Sequence, residues 1–242
     1  MNVLITGGSH VVALNQGFKR LKQAGEVPAS LEIRVRPLGG GLSVSRDFYC
    51  PRDDHVEITH PKFQAKFRRI PPRGVTYDVV ALCTALYSRP VWNKTDWEVY
   101  GIPGFVEDRI PISNSLLKRA IYDDNKHIIA FLGHLRTFGI QVCVVEGPRP
   151  FRHNIEVKRT GPDLVKHIDT LYRSLTLEVL NREGISVVSV PDVALDEDGF
   201  MLETYRHKNP KDKTHGNPEF GLMMMQRVIQ YVQQSVAQSQ LA

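Results

Sequence analysis

A serine in a glycine-bearing turn near one end of the chain, and an aspartate and a histidine three residues apart near the other, are the side chains that could do chemistry together. The serine, Ser9, lies in VLITGGSHVVALNQGF (residues 3–18), where an apolar run meets Gly7-Gly8 and then a segment with apolar residues at helical spacing. Asp212 and His215 lie in NPKDKTHGNPEFGLMMMQRV (residues 209–228), just ahead of Gly216-Asn217-Pro218, which reads as a helix start. A serine hydroxyl becomes a nucleophile when a base stands within hydrogen-bond reach and a third group fixes that base's tautomer. Ser9, His215 and Asp212 are the right residue types for those roles, and a loop at a helix entrance can aim Asp212 and His215 at one point. Each also has an ordinary use: Ser9 as a helix N-cap, Asp212 as a turn acid, His215 as a cap of the last helix.

The same turn admits a second chemistry, because strand, glycine turn and helix can also cradle a dinucleotide phosphate. VLITGGS resembles the opening of the short-chain dehydrogenase/reductase family, and Tyr122 with Lys126 supplies a YxxxK. Against it, Val11 and Ala13 stand where that family places further glycines, and β-branched Val11 obstructs close approach of the backbone to a pyrophosphate. The run at 31–35 is followed by Arg36-Pro37, where an acidic residue would be needed for a ribose.

The elements that must position these residues follow from periodicity. Strand-length apolar runs occur at 2–6, 31–35, 77–83, 140–146 and 185–190. Helical spacing marks 11–24, 116–138, 162–182 and 218–236, the third opened by Gly161-Pro162-Asp163 and closed by Gly184. Strands alternating with helices predict an α/β fold, a doubly wound sandwich with a mostly parallel central sheet, and sites at the carboxyl ends of its strands. Ser9 falls at such an end. The intervals 37–76 and 87–114, rich in Pro, Gly, aromatics and Arg, are expected as insert loops facing substrate, and the polar tail 233–242 as frayed.

With 242 residues, 42% hydrophobic, the chain suits one domain. A net charge of +5 and the basic run at 62–74 favour anionic partners, yet no nucleic-acid-binding motif is present, so no nucleic acid is expected. Cys50, Cys83 and Cys143 are too few and too scattered for a disulfide framework or a zinc site; the latter two sit in apolar runs as core thiols. No metal site is expected from the histidines, which lack a helical pairing with carboxylates. The absence of signal-peptide features and of any eighteen-residue apolar run predicts a cytoplasmic protein without a membrane partner. Oligomeric state is not legible.

Strand, Gly-x-Ser-His and helix in the first block, with Asp-x-x-His-x-Asn before the last helix, resemble the SGNH/GDSL hydrolase family. The likeness is greatest to members with GxSH in the first block, which include hydrolases and acyltransferases acting on O-acyl groups of carbohydrates. It implies a flavodoxin-like three-layer α/β/α sandwich and an acyl-serine intermediate, with no cofactor. It makes Ser9 the nucleophile, His215 the general base and Asp212 its orienting carboxylate. The family's oxyanion hole uses the nucleophile's own N–H, a glycine N–H after the second strand and an asparagine side chain after the third. Ser9 and Gly40, within Leu38-Gly39-Gly40-Gly41, match the first two. The third departs: Thr84-Ala85-Leu86-Tyr87-Ser88-Arg89-Pro90 contains no asparagine, leaving Asn93, Thr84, Ser88 or Arg89 as replacements. Loss of one such donor costs about 2.7–4 kcal/mol of transition-state stabilisation. Gly8 also replaces the family's aspartate.

The expected substrate is a small-molecule or glycan ester. Tyr87, Trp92, Trp97 and Tyr100 suit stacking on a sugar or acyl chain and equally suit packing of the insert itself; Arg149 and Arg152 end a strand on the side of Ser9, in a loop that either faces substrate or turns back to the surface. His10, Arg89, Trp92, Arg149 and Arg152 are therefore the candidate substrate contacts. An O-acyltransferase, a catalytically silent glycan binder and, more remotely, a nicotinamide-dependent reductase are the rival readings.

Overall fold

The computed structural model describes residues 1–39, 46–105, 108–209 and 211–239. From the N-terminus come β1 (Asn2–Gly7), α1 (Val11–Gln23) and β2 (Glu32–Val35), then an insert of β3 (Tyr49–Pro51), β4 (Val56–Ile58), α2 (Pro61–Gln64) and β5 (Arg69–Ile70). After β6 (Val79–Cys83) a second insert holds α3 (Arg89–Lys94), β7 (Tyr100–Gly101) and β8 (Ile110–Pro111). The chain continues with α4 (Asn114–Thr137), β9 (Gln141–Val145), α5 (Ile155–Thr160), α6 (Pro162–Arg182), β10 (Ser186–Val188) and α7 (Pro218–Ser239).

Five strands pair in parallel in the order β2-β1-β6-β9-β10. Strand order reverses between β1 and β6, and Gly7 registers with Cys83 there. This is the flavodoxin-like order, in which ligands bind beyond the strand ends at the reversal point. A dinucleotide-binding sheet would extend differently, and Tyr122 and Lys126 lie instead on α4, with Lys126 paired to Asp123 at 3.1 Å.

Period-two alternation divides the core into two layers. Val3 and Ile5 of β1 point into a cluster with Val11 and Leu14 of α1 and Phe220, Met224 and Val228 of α7. Leu4, between them in sequence, points the other way with Val80 and Val144 into a cluster holding Phe131 and Leu135 of α4 and Leu180 of α6. Helices therefore cover both faces. Of the three consecutive methionines, Met224 and Met225 are core residues and Met223 is partly buried against them.

The two inserts and the tail differ from the sequence expectation. Residues 49–70 contain a three-stranded antiparallel sheet, β3-β4-β5. Phe48, Val56, Ile58, Phe63 and Phe67 are buried with Phe131, so this insert spends its apolar side on α4. In the second, Val91, Trp92 and Trp97 form a third cluster with Leu117 of α4 and Val165 of α6. Proline and glycine punctuation hid these short elements, each too brief to show a period. The tail is helical through Ser239, because Val232 and Ser235 are buried and extend the α7 stripe; 240–242 lie outside the described residues.

Helices α1 and α7 cross at glycines. A Cβ on Gly17 would stand 2.3 Å from a backbone atom of Gly221, and one on Gly221 would stand 1.8 Å from the Ala13 carbonyl oxygen. Arg20 and Glu219 close the same crossing with an ion pair at 2.7 Å. Because α1 follows Ser9 and α7 follows His215, this contact sets the separation of the two chain ends of the site.

Candidate active site

Gly7 has φ +136°, and a Cβ there would meet the Cys83 carbonyl oxygen at 2.3 Å. Only glycine permits this abutment. The Gly8 N–H then donates to the same carbonyl at 3.0 Å, turning the chain off β1 and up over the strand end. Ser9 emerges exposed on that turn, and α1 starts two residues later with His10 at its N-cap position. Ser9 does not cap the helix with its side chain; its Oγ lies 2.6 Å from His215 Nε2.

Across the switch point, the loop before α7 is tied down at several places. The N–H of His207 donates to the His215 carbonyl at 3.0 Å, and Asn154 Nδ2 donates to the Lys213 carbonyl. Asn217 caps α7, its Oδ1 accepting from the N–H groups of Glu219 and Phe220 at 3.0 Å, so His215 is free of capping duty. Asp212 Oδ1 accepts from the N–H groups of Thr214 (3.1 Å) and His215 (3.0 Å), a turn that curls the carboxylate under the ring. Both carboxylate oxygens then lie 2.9 Å from His215 Nδ1. Partial burial raises the Asp212 carboxyl, but these N–H donors and the imidazole outweigh it and hold it below the ordinary carboxylate value.

An ionised carboxylate only accepts, so Nδ1 of His215 carries the hydrogen and Nε2 keeps a lone pair toward the Ser9 hydroxyl. Such a line can take a proton from the serine and steady the resulting imidazolium. A surface cavity of about 190 Å³ opens beside it, lined by Ser9, Val12, Gln16, His207, Asp212 and His215.

Neither a protein-family model nor a curated protein matches the sequence. Solved structures do match. The acetyl xylan esterase AlAXEase aligns over 96% of this chain and 100% of its own, at 14% identity and a TM-score of 0.50. A protein of Desulfitobacterium hafniense DCB-2, described as lipolytic and of the G-D-S-L family, aligns over 95% of this chain and 98% of its own, at 13% identity and a TM-score of 0.52. This chain has the SGNH hydrolase fold. A carbohydrate esterase family 2 enzyme with a carbohydrate-binding domain, from Corynascus thermopiles (Myceliophthora fergusii), shares that fold over 98% of this chain and 66% of its own, at 14% identity and a TM-score of 0.50.

Beside Ser9, His215 and Asp212, His10 is buried with its ring centroid 4.9 Å from that of His215 and 4.8 Å from that of Tyr87. Burial, reinforced by His215, drives its imidazole down to about 3 despite the pull of Asp212. Arg89, Trp92 and Arg149 line a second, shallow pocket with Tyr87 and with Thr214 of the loop before α7. All three are engaged: Arg89 with Glu156 at 2.8 Å, Trp92 Nε1 with Ser88 Oγ at 3.1 Å, Arg149 with Glu146 at 3.1 Å.

Other expected contacts fall elsewhere. Arg152 pairs with Asp196 at 2.9 Å and with Asp198, and its guanidinium lies 4.6 Å over the Phe200 ring, so it clasps the 196–200 turn. Asn93 lines a different cavity with Asp96, Arg109 and Arg159, on a helix whose Val91 and Trp92 are buried. The aromatics do not form one stacking platform: Trp92 and Trp97 are 2% and 4% exposed, whereas Tyr100 is 39% exposed on β7. Gly40 lies outside the described residues; Gly39 donates its N–H to the Gly7 carbonyl at 3.3 Å.

Residue pattern alone missed a buried ionic cluster at the carboxyl end of β9. Glu146, fully buried, pairs with Arg173 and Arg149 and accepts the Val190 N–H at 2.9 Å. Beside it Ser88 donates to Asp169, whose carboxyl is raised by burial against the pull of Arg173. Nothing in the local sequence marks these groups as partners. Gly17 and Gly221 did leave a signal, since glycine inside a helical pattern costs about 1 kcal/mol relative to alanine and points to a packing reason. Among the described residues no cluster of His, Cys, Asp and Glu is placed to hold a metal, and no helix is long and apolar enough to cross a membrane.

Proposed function

We propose that this chain is a serine esterase that cleaves an O-acyl ester, acetyl by preference, on a carbohydrate through an acyl-serine intermediate. One observation carries the reading: the continuous hydrogen-bonded line from Ser9 Oγ through His215 to Asp212, at 2.6 and 2.9 Å. In the first step His215 Nε2 takes the Ser9 proton as Oγ attacks the ester carbonyl. The tetrahedral intermediate collapses when the imidazolium returns that proton to the departing sugar oxygen. Water, deprotonated by the same nitrogen, then releases the acyl group and regenerates Ser9. Asp212 stays ionised and steadies the positive ring in both steps. Support for acetyl and carbohydrate comes from the acetyl xylan esterase and the carbohydrate esterase that share the fold. Transfer to a sugar hydroxyl in place of water uses the same first step.

A silent glycan-binding role is the second reading, favoured by Ala85 and Leu86 where the family has its asparagine. Intact mass spectrometry after fluorophosphonate treatment separates the two. The esterase reading expects a single adduct on Ser9, absent from Ser9→Ala and His215→Ala, and acetate release from acetylated sugars. No adduct under conditions that label a control serine hydrolase overturns it in favour of binding alone.

A further inference from the structure

The cavity beside Ser9 has two unlike walls. Helix α1 supplies Val12 and Gln16, one helical turn apart on the same face, and the loop before α7 supplies His207 and His215. Val12 is 52% exposed, and the exposed Gln16 amide is hydrogen-bonded to no other residue among those described. His207 Nδ1 accepts the Asn209 N–H at 3.2 Å, so in the neutral ring the hydrogen is on Nε2, which also has no partner among the described residues. An apolar surface edged by an amide and an imidazole N–H, neither committed to the protein, thus stands next to the nucleophile.

Resting on the esterase reading, we propose that this cavity seats the alcohol half of the ester, and that Val12, Gln16 and His207 select a sugar ring there. When the tetrahedral intermediate collapses, the departing oxygen takes its proton from His215 Nε2, so the alcohol must lie within hydrogen-bond reach of that nitrogen. Ser9 and His215 both line this cavity, which places it on the leaving-group side. Its volume of about 190 Å³ is more than a two-carbon acyl group fills. A cavity of about 150 Å³ in another protein holds benzene, so a six-membered ring has room here. A pyranose carries C–H groups on its faces and hydroxyls around its edge. Val12 suits a face, while the Gln16 amide, able to donate and to accept, and the His207 N–H suit the hydroxyls. The residues whose types first suggested sugar contacts are otherwise engaged: Trp92 and Trp97 are buried, and Arg152 is paired with Asp196 and Asp198.

The test measures kcat/KM of wild type, Val12→Trp, Gln16→Leu and His207→Leu on three esters: an acetylated methyl glycoside, methyl acetate, which shrinks the alcohol, and methyl butyrate, which lengthens the acyl group. Thermal unfolding and the fluorophosphonate adduct are followed on each protein. Ratios between esters cancel any effect common to all three, including one that His207 exerts through Asp212 Oδ2, 3.7 Å from its Nδ1. Wild type should prefer the glycoside acetate to methyl acetate. Val12→Trp, which fills the cavity, should lower that preference by at least about tenfold. Gln16→Leu and His207→Leu, each removing one hydrogen bond, should lower it by about 2–10-fold. A Val12→Trp effect on the butyrate-to-acetate ratio instead would assign the cavity to the acyl group. That outcome, unchanged ratios in all three variants, or a wild type that labels at Ser9 yet favours methyl acetate overturns the proposal while leaving the esterase reading intact. Absence of the Ser9 adduct in the wild-type protein overturns both.

Discussion

Asp212 is held below the ordinary carboxylate value by geometry that its own loop builds: two backbone N–H groups and an imidazole converge on one carboxylate. Replacing it by asparagine keeps the shape and inverts the logic, because an amide can donate to Nδ1 and so leave Nε2 protonated toward Ser9. Asp212→Asn should therefore lower kcat by about 10⁴-fold with the fold retained, measured on p-nitrophenyl acetate alongside circular dichroism. His10 makes a prediction about stability. It titrates at 6.5 when unfolded and at about 3 when folded. As pH falls through that window the unfolded chain takes up a proton that the folded chain refuses. Stability should then drop by up to about 1.4 kcal/mol per pH unit. Urea midpoints from pH 7 to pH 4 should show that slope, and His10→Phe should lessen it; parallel curves would mean that His10 is solvated in solution. At this scale the sequence was informative about which side chains could meet, since Ser9, His215 and Asp212 lie in short motifs beside helix starts and are hydrogen-bonded in the fold. It left Asn93 and Arg152 open between the site and the surface, because their directions depend on which neighbours are buried.

At the scale of elements, the site is the product of a helix crossing. The Ser9 turn hangs from β1 and α1, the His215 loop from α7, and 206 residues of sequence separation are closed by contact at Gly17 and Gly221. Gly221→Ala forces α7 away from Ala13. Overpacking of this kind costs about 1–3 kcal/mol, and a misplacement of about 1 Å at reacting groups can cost roughly 10²-fold in rate. The rate of fluorophosphonate labelling should thus fall far more than the urea midpoint; a variant that loses stability but labels at the wild-type rate would show that the crossing does not set the Ser9 to His215 distance. Long elements were legible because their periods repeat: α6 was expected and found at 162–182. The short strands of the inserts were not, since three residues cannot display a period and their stability comes from Phe48, Phe63 and Phe131 packing together.

For the whole molecule, two apolar layers separated by one sheet dictate which groups solvent can reach. Burial drives the thiols of Cys83 and Cys143 up to about 12 on one face of that sheet, while Cys50 sits half-buried on β3. A native thiol titration with a disulfide reagent should count one reactive cysteine, Cys50, and three after denaturation. Two or more in the native state would mean that the sheet opens under native conditions.

The sequence by itself determined the alternation of strands and helices, the glycine turn that lifts Ser9, and the local Asp212–His215 pair, because each depends on residues within a few positions of one another. Tertiary structure alone decided what touches what across the switch point. It put His10 against His215 and Tyr87, sent Asn93 to another surface, buried Trp92 and Trp97, and gathered Glu146 with Arg149 and Arg173. The physical reason is that burial is a property of the packed whole: a side chain's direction, charge and partners depend on surfaces supplied by segments up to two hundred residues away, and no local pattern encodes them.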